Sequence, residues 1–197
     1  MVANTRIIAG SCLVLAPTVQ ALSTFFWEEN RQGITTGTLI MVSTVFWIVG
    51  LAQLFRDIEP RVPRYATVAF PLAVYGCLGG DSFGLQGMFE ELFGVGHDHA
   101  VRLLQEHQAA AFTTFWMAGV LFPTSLFVLG VVLTRIKYVP APSGILLAVG
   151  AVVFPASRIP REVVIAHVAD LILILPFAHI GILMLRSRSQ AAVPSIV

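Results

Sequence analysis

The sequence predicts an all-α fold, a polytopic membrane helix bundle. Of its 197 residues, 56% are hydrophobic and only 12% are charged, about half the charged share of a typical soluble domain. The mean hydropathy is +0.83. Apolar residues come in runs of about 20, the length that crosses roughly 30 Å of hydrocarbon at 1.5 Å per residue. These observations exclude a soluble globular domain.

Six such runs are predicted to be transmembrane helices, and the short links between them favour one integral membrane domain over residues 1–197. The first run contains Val19-Gln20-Ala21, which fits a signal-peptide cleavage site. Because the apolar residues continue to Trp27, a first transmembrane helix is the favoured interpretation. The predicted spans are 7–26, 33–55, 65–85, 109–134, 141–157 and 163–185.

A short helix in the membrane interface is predicted between the third and fourth spans. In LQGMFEELFG, residues 85–94, apolar residues recur with helical spacing while Glu90 and Glu91 occupy the other face. The third span is predicted to end near residue 85; the alternative is that the helix ends near Gly80, with Asp81 capping the segment that follows. Residues 98–108 are expected to be helical too and to lead into the fourth span.

The basic residues predict the orientation of the bundle, since cytoplasmic loops carry an excess of Lys and Arg. With six spans both termini share one side, and eight of the 12 basic residues fall on that side. We therefore expect a multi-pass protein of the cell membrane with both termini in the cytoplasm. The eight are Arg6, Arg56, Arg61, Arg64, Arg135, Lys137, Arg186 and Arg188, and the other four are Arg31, Arg102, Arg158 and Arg161.

Acids and histidines concentrate in the opposite half, which is predicted to be non-cytoplasmic. Asp81 and Asp170 fall within spans, where a carboxylate costs several kcal/mol unless it is paired, hydrated or protonated. His167 precedes Asp170 by three residues and shares its helix face. A structural role for Asp170, bonded to His167 or Arg158, is the alternative. The predicted catalytic residues are Asp81, Asp170, His167, Glu90 and Glu91.

Aromatic residues in the same half predict a site for a lipid-soluble molecule. Carboxylic acids in a dry pocket can act as general acids, and aromatic faces can stabilise a carbocation. Together they predict isomerisation or terpenoid-type cyclisation of a prenyl-like substrate. The aromatic–acid pairs in FFWEEN and MFEELF resemble, in composition, those of integral-membrane terpenoid cyclases. The predicted substrate-binding residues are Phe112, Phe115, Trp116, Arg158 and His107.

Other functions stay open at this stage. No cofactor or metal is predicted, but His107 and His167 lie at similar depth on different helices, so a b-type haem between them is an alternative. A metal-binding protein, a non-enzymatic carrier and a partner subunit are further alternatives, although the apolar cytoplasmic halves of the spans disfavour a carrier. The expected partners are membrane lipids and a hydrophobic small molecule, and no nucleic acid.

Overall fold

A computed structural model describes residues 2–28, 31–160 and 162–191 of the chain. It confirms the all-α prediction, with six segments that are long and apolar enough to cross a membrane. Arg161, one of the basic residues counted above, lies outside the described residues. The long helices are α1 (Val2–Thr24), α2 (Ile34–Ile58), α3 (Pro63–Leu92), α6 (Ala118–Arg135), α7 (Ala141–Arg158) and α8 (Val163–Ala191).

Shorter elements connect these helices at one end of the bundle. Two antiparallel two-residue strands, β1 (Trp27–Glu28) and β2 (Arg31–Gln32), form a hairpin between α1 and α2. Between α3 and α6 lie α4 (His97–Glu106), α5 (Gln108–Ala111) and a π-helical turn (Phe112–Met117). We call this end, which also carries the α7–α8 connection, the cap end. The other, with the start of α1 and the end of α8, is the termini end.

The six long helices close into a ring, because each packs against its neighbours in the chain and α8 returns to α1. Halfway along, aromatic side chains block the centre. Trp47, only 2% exposed, meets Phe122 and Phe177 edge-on, with ring centroids 5.5 and 4.6 Å apart. Edge-to-face contacts of this kind are favourable. Fully buried leucines fill the ring towards the termini end, namely Leu13, Leu51, Leu54, Leu129, Leu133 and Leu147.

A cluster of hydrogen-bonded polar side chains connects the helices at the termini end. Asp57 accepts hydrogen bonds from Arg6 at 2.6 Å, Gln53 at 2.9 Å and the Tyr138 hydroxyl at 3.3 Å. Burial and the neighbouring Asp57 carboxylate raise the pKa of Tyr138 to about 12, so the phenol remains a neutral donor at physiological pH. The cluster joins α1 and α2 to the α6–α7 connection.

The third helix differs from its prediction. It continues through 30 residues to Leu92, past the predicted end near residue 85 and past the alternative end near Gly80, so residues 85–92 are its last part and not a separate helix. The short helix between the third and fourth spans is α4. The glycines of α3 do not end it, because they pack on neighbouring backbones: a Cβ on Gly37 of α2 would lie 2.5 Å from the Gly84 carbonyl oxygen. Small residues allow this close approach in membrane bundles.

We predict that Gly76→Ala destabilises the bundle while Gly80→Ala, one turn further along α3, does not. A Cβ on Gly76 would lie 2.5 Å from the Phe122 backbone nitrogen, whereas nothing lies within 4 Å of one on Gly80. Overpacking of this kind costs about 1–3 kcal/mol. Thermal melting of the two variants in the same detergent tests the difference, and equal melting temperatures would contradict the packing described.

Candidate functional site

A cavity of about 1280 Å³ occupies the cap half of the helical ring. Trp47, Phe122 and Phe154 are among its aromatic lining residues, and Gln20 of α1 lines it together with residues from α2, α3, α4, the π-helical turn, α6 and α7. Its volume exceeds the roughly 300–1,000 Å³ of ordinary small-molecule sites. A large apolar chamber in a membrane domain suits a lipid-soluble molecule.

The exposure of several lining residues on α6 and α7 indicates that the cavity opens sideways between these two helices. Four cavity-lining residues on this side are also highly exposed: Trp116 is 62% and Ile159 80% exposed, and Val120 and Val152 are exposed as well. The outer surface of a membrane-spanning bundle faces hydrocarbon. This lateral opening, which we call the portal, therefore leads from the bilayer into the cavity.

The three aromatic residues predicted to bind substrate line the cavity from the π-helical turn. Phe115 meets Phe83 of α3 edge-on, with centroids 5.3 Å apart, and Phe112 and Trp116 complete this part of the wall. The Tyr75 hydroxyl donates to the Thr113 carbonyl at 2.5 Å, which supports the irregular turn from α3. Single π-helical turns within α-helices are frequent at functional sites.

Asp170 and Arg158 form a buried ion pair at the cap end. Arg158 donates to one oxygen of Asp170 at 2.6 Å and Thr24 donates to the other at 2.7 Å. The guanidinium also lies between the side chains of Trp27 and Phe154, 4.8 Å from each centroid. Both oxygens of Asp170, which is 3% exposed, are therefore engaged in joining α1, α7 and α8. Arg158 lines the cavity; Asp170 is not among its lining residues.

Two other predicted catalytic acids, Asp81 and Glu91, lie outside the cavity lining and have different surroundings. Asp81 lies beside Thr44 of α2, and one of its oxygens is buried without a hydrogen-bond partner. Glu91 accepts the backbone N–H of Ile34 at 2.6 Å and so satisfies a free donor in the first turn of α2, where a negative charge is favourable. Neither residue is among those lining the cavity.

Glu90 differs from its neighbour Glu91, because it is buried against residues of the cavity wall. Its Oε1 contacts His97 Nδ1 at 2.8 Å and accepts a hydrogen bond from Gln86 at 2.9 Å. The imidazole of His97 lines the cavity and its side chain is 40% exposed. An imidazole that is oriented by a carboxylate at the wall of a cavity is a usual arrangement of a general acid or base.

The two histidines that the sequence predicted for the site, His107 and His167, do not line the cavity. His167 packs on Phe25, with ring centroids 4.3 Å apart, and makes no hydrogen bond to Asp170 within the described part of the chain. His107 is exposed at the break between α4 and α5. The structure thus brings Phe112, Phe115, Trp116 and Arg158 to the cavity wall, but neither His107 nor His167.

Sequence reasoning missed most of the polar lining. Gln20 accepts a hydrogen bond from the Trp47 indole at 2.8 Å in the middle of the bundle. An amide within an apolar span is a usable signal, although Val19-Gln20-Ala21 also fits the alternative of a cleavage site. The polar residues of the wall that were missed are Gln20, Gln32, Ser43, Thr44, Gln86, His97, Gln105, Gln108 and Thr124.

Comparison with known proteins leaves the site to be interpreted by its own geometry. No protein-family model, curated protein or solved structure matches this chain.

Proposed function

We propose that the protein binds an elongated, lipid-soluble small molecule, such as a prenyl compound, which enters from the bilayer through the portal. The observation that carries this proposal is the aromatic-lined cavity that opens between α6 and α7. Apolar chains would lie against Phe112, Phe115 and Trp116. Amide and imidazole groups at the cap side offer hydrogen bonds to a polar end, and a few such groups typically orient the ligand in a mostly apolar site.

We further propose that the bound molecule undergoes proton-transfer chemistry, with isomerisation as the simplest case. The contact between His97 and Glu90 at the cavity wall favours this second function. In an isomerisation, His97 would accept a proton from one carbon of the substrate and return it to another, so that no oxidant or reductant is needed. The general-acid role expected of Asp81 and Asp170 passes to this pair, because neither aspartate is a lining residue.

Photolabelling tests the binding proposal. Val120→Trp places a large side chain in the portal, and we expect it to lower labelling of Phe115 and Trp116 peptides by a diazirine-bearing prenyl alcohol about ten-fold, the effect of roughly 1.4 kcal/mol in affinity. Leu171→Trp is the matched control, because Leu171 is equally exposed to lipid on α8. Labelling spread evenly over lipid-facing helices, or unchanged in Val120→Trp, would refute the cavity as the binding site.

The orientation of the bundle is a second testable part of the proposal. Because the termini end carries most of the basic residues, we place it in the cytoplasm and the cap end outside the cell membrane. Asp98 is exposed on α4, so a cysteine introduced there should react with a membrane-impermeant maleimide in intact cells. Reaction only after the cells are opened would invert the orientation.

A further inference from the structure

A second apolar groove of about 530 Å³ runs along the outside of α6 and α7, nearer the termini end. Its base lies where the two helices approach most closely, since a Cβ on Gly130 would lie 2.7 Å from the Gly144 carbonyl oxygen. Ile145 and Val149 line the groove from α7 and are largely exposed. The groove is thus lined by branched apolar side chains and is open to the hydrocarbon.

The groove has the length of one lipid chain in one leaflet. Arg135 lines it at the termini end, and Phe127 lines it eight residues earlier on α6, about 12 Å along the helix axis. Half of a hydrocarbon core of roughly 30 Å is about 15 Å. Phe127 and Val152 also line the cap cavity, so the groove ends where the portal begins.

Positive charge marks the end of the groove that lies at the membrane boundary. Arg135 and, two residues later, Lys137 are exposed there. The ion pairs within the described residues involve Arg6, His97 and Arg158, and no carboxylate of that part of the chain lies within 4.0 Å of Arg135 or Lys137. A phosphate held at this position would leave its acyl chain aligned with the groove.

We propose that the α6–α7 groove is a binding site for an anionic phospholipid of the leaflet at the termini end, with its phosphate at Arg135 and one acyl chain between the helices. The site is separate from the cap cavity, although it adjoins the portal. An anionic lipid is preferred to a zwitterionic one because two basic side chains meet the head group, and each basic residue near a membrane surface favours anionic lipid.

Native mass spectrometry of protein released from mixed phosphatidylglycerol and phosphatidylcholine bilayers tests this site. We expect wild-type protein to retain one phosphatidylglycerol preferentially. Arg135→Gln should weaken that retention about five-fold, as expected for one basic residue near the surface, while Arg64→Gln, an exposed arginine at the same end, should leave it unchanged. Val149→Trp should displace the lipid by filling the groove, and Leu171→Trp should not.

The outcomes separate a specific site from the surrounding lipid. Equal retention of the two phospholipids, or equal effects of Arg135→Gln and Arg64→Gln, would overturn the proposal. Retention that survives Val149→Trp would place the lipid outside the groove and would overturn it as well. Val149 does not line the cap cavity, so photolabelling of the cavity should persist in Val149→Trp whether or not the groove binds lipid.

Discussion

Replacing Asp170 by Asn is expected to lower the free energy of unfolding by about 3–5 kcal/mol, the usual effect of removing one partner of a buried ion pair. The substitution leaves the Arg158 guanidinium, 16% exposed, without a compensating charge between α7 and α8. Thermal unfolding in detergent, followed by tryptophan fluorescence, measures the effect. Asp98→Asn is the matched control, since Asp98 is exposed on α4 and its loss should leave the melting temperature unchanged.

A double variant distinguishes the ion pair from the shape of the side chains. Arg158→Met together with Asp170→Leu removes both charges, and apolar replacements of buried ion pairs are often neutral or stabilising. We expect the double variant to melt above Asp170→Asn, with non-additive effects because the two residues are in contact. If the double variant lowers the melting temperature by the sum of the decreases caused by Arg158→Met alone and Asp170→Leu alone, the two side chains act independently.

The fold was largely predictable because the thickness of the hydrocarbon core sets the length of a spanning helix, and the length of each apolar run in the sequence gives that helix length. The end of α3 was not predictable on the same basis. Gly76, Gly84 and Gly87 could mark a break or a close contact, and the choice depends on neighbouring helices such as α2 and α6. Local sequence does not contain that information, so the prediction stopped the helix too early.

The candidate site was less predictable, since depth along a helix says little about the direction of a side chain. Glu90 and Glu91 are adjacent, yet successive residues are about 100° apart around a helix. One is buried against His97, and the other binds the backbone of Ile34. His97 belongs to α4, and its contact with Glu90 depends on the continuation of α3 to Leu92. Because the predicted third span ends too early, the contact between Glu90 and His97 could not be predicted from the sequence.

His97 is the residue whose replacement should most reduce proton transfer to a bound molecule. If His97 exchanges protons with the ligand, wild-type protein incubated in D₂O should introduce deuterium into carbon positions of a bound prenyl compound. His97→Gln keeps a polar side chain but cannot cycle a proton, and loss of a general acid or base lowers rates by roughly 10²–10⁴-fold. Mass spectrometry of the extracted compound measures the incorporation.

The control for this experiment lies two residues away on the same helix. His99 is exposed and does not line the cavity, so His99→Gln should exchange at the wild-type rate. Glu90→Gln retains a hydrogen-bond acceptor for His97 without its charge, so an intermediate rate is expected if Glu90 only positions the imidazole. Photolabelling of each variant must remain at the wild-type level, so that lost exchange is not lost binding. If His97→Gln shows undiminished deuterium exchange and normal photolabelling, His97 does not transfer the proton. The cavity would then be supported only as a binding site.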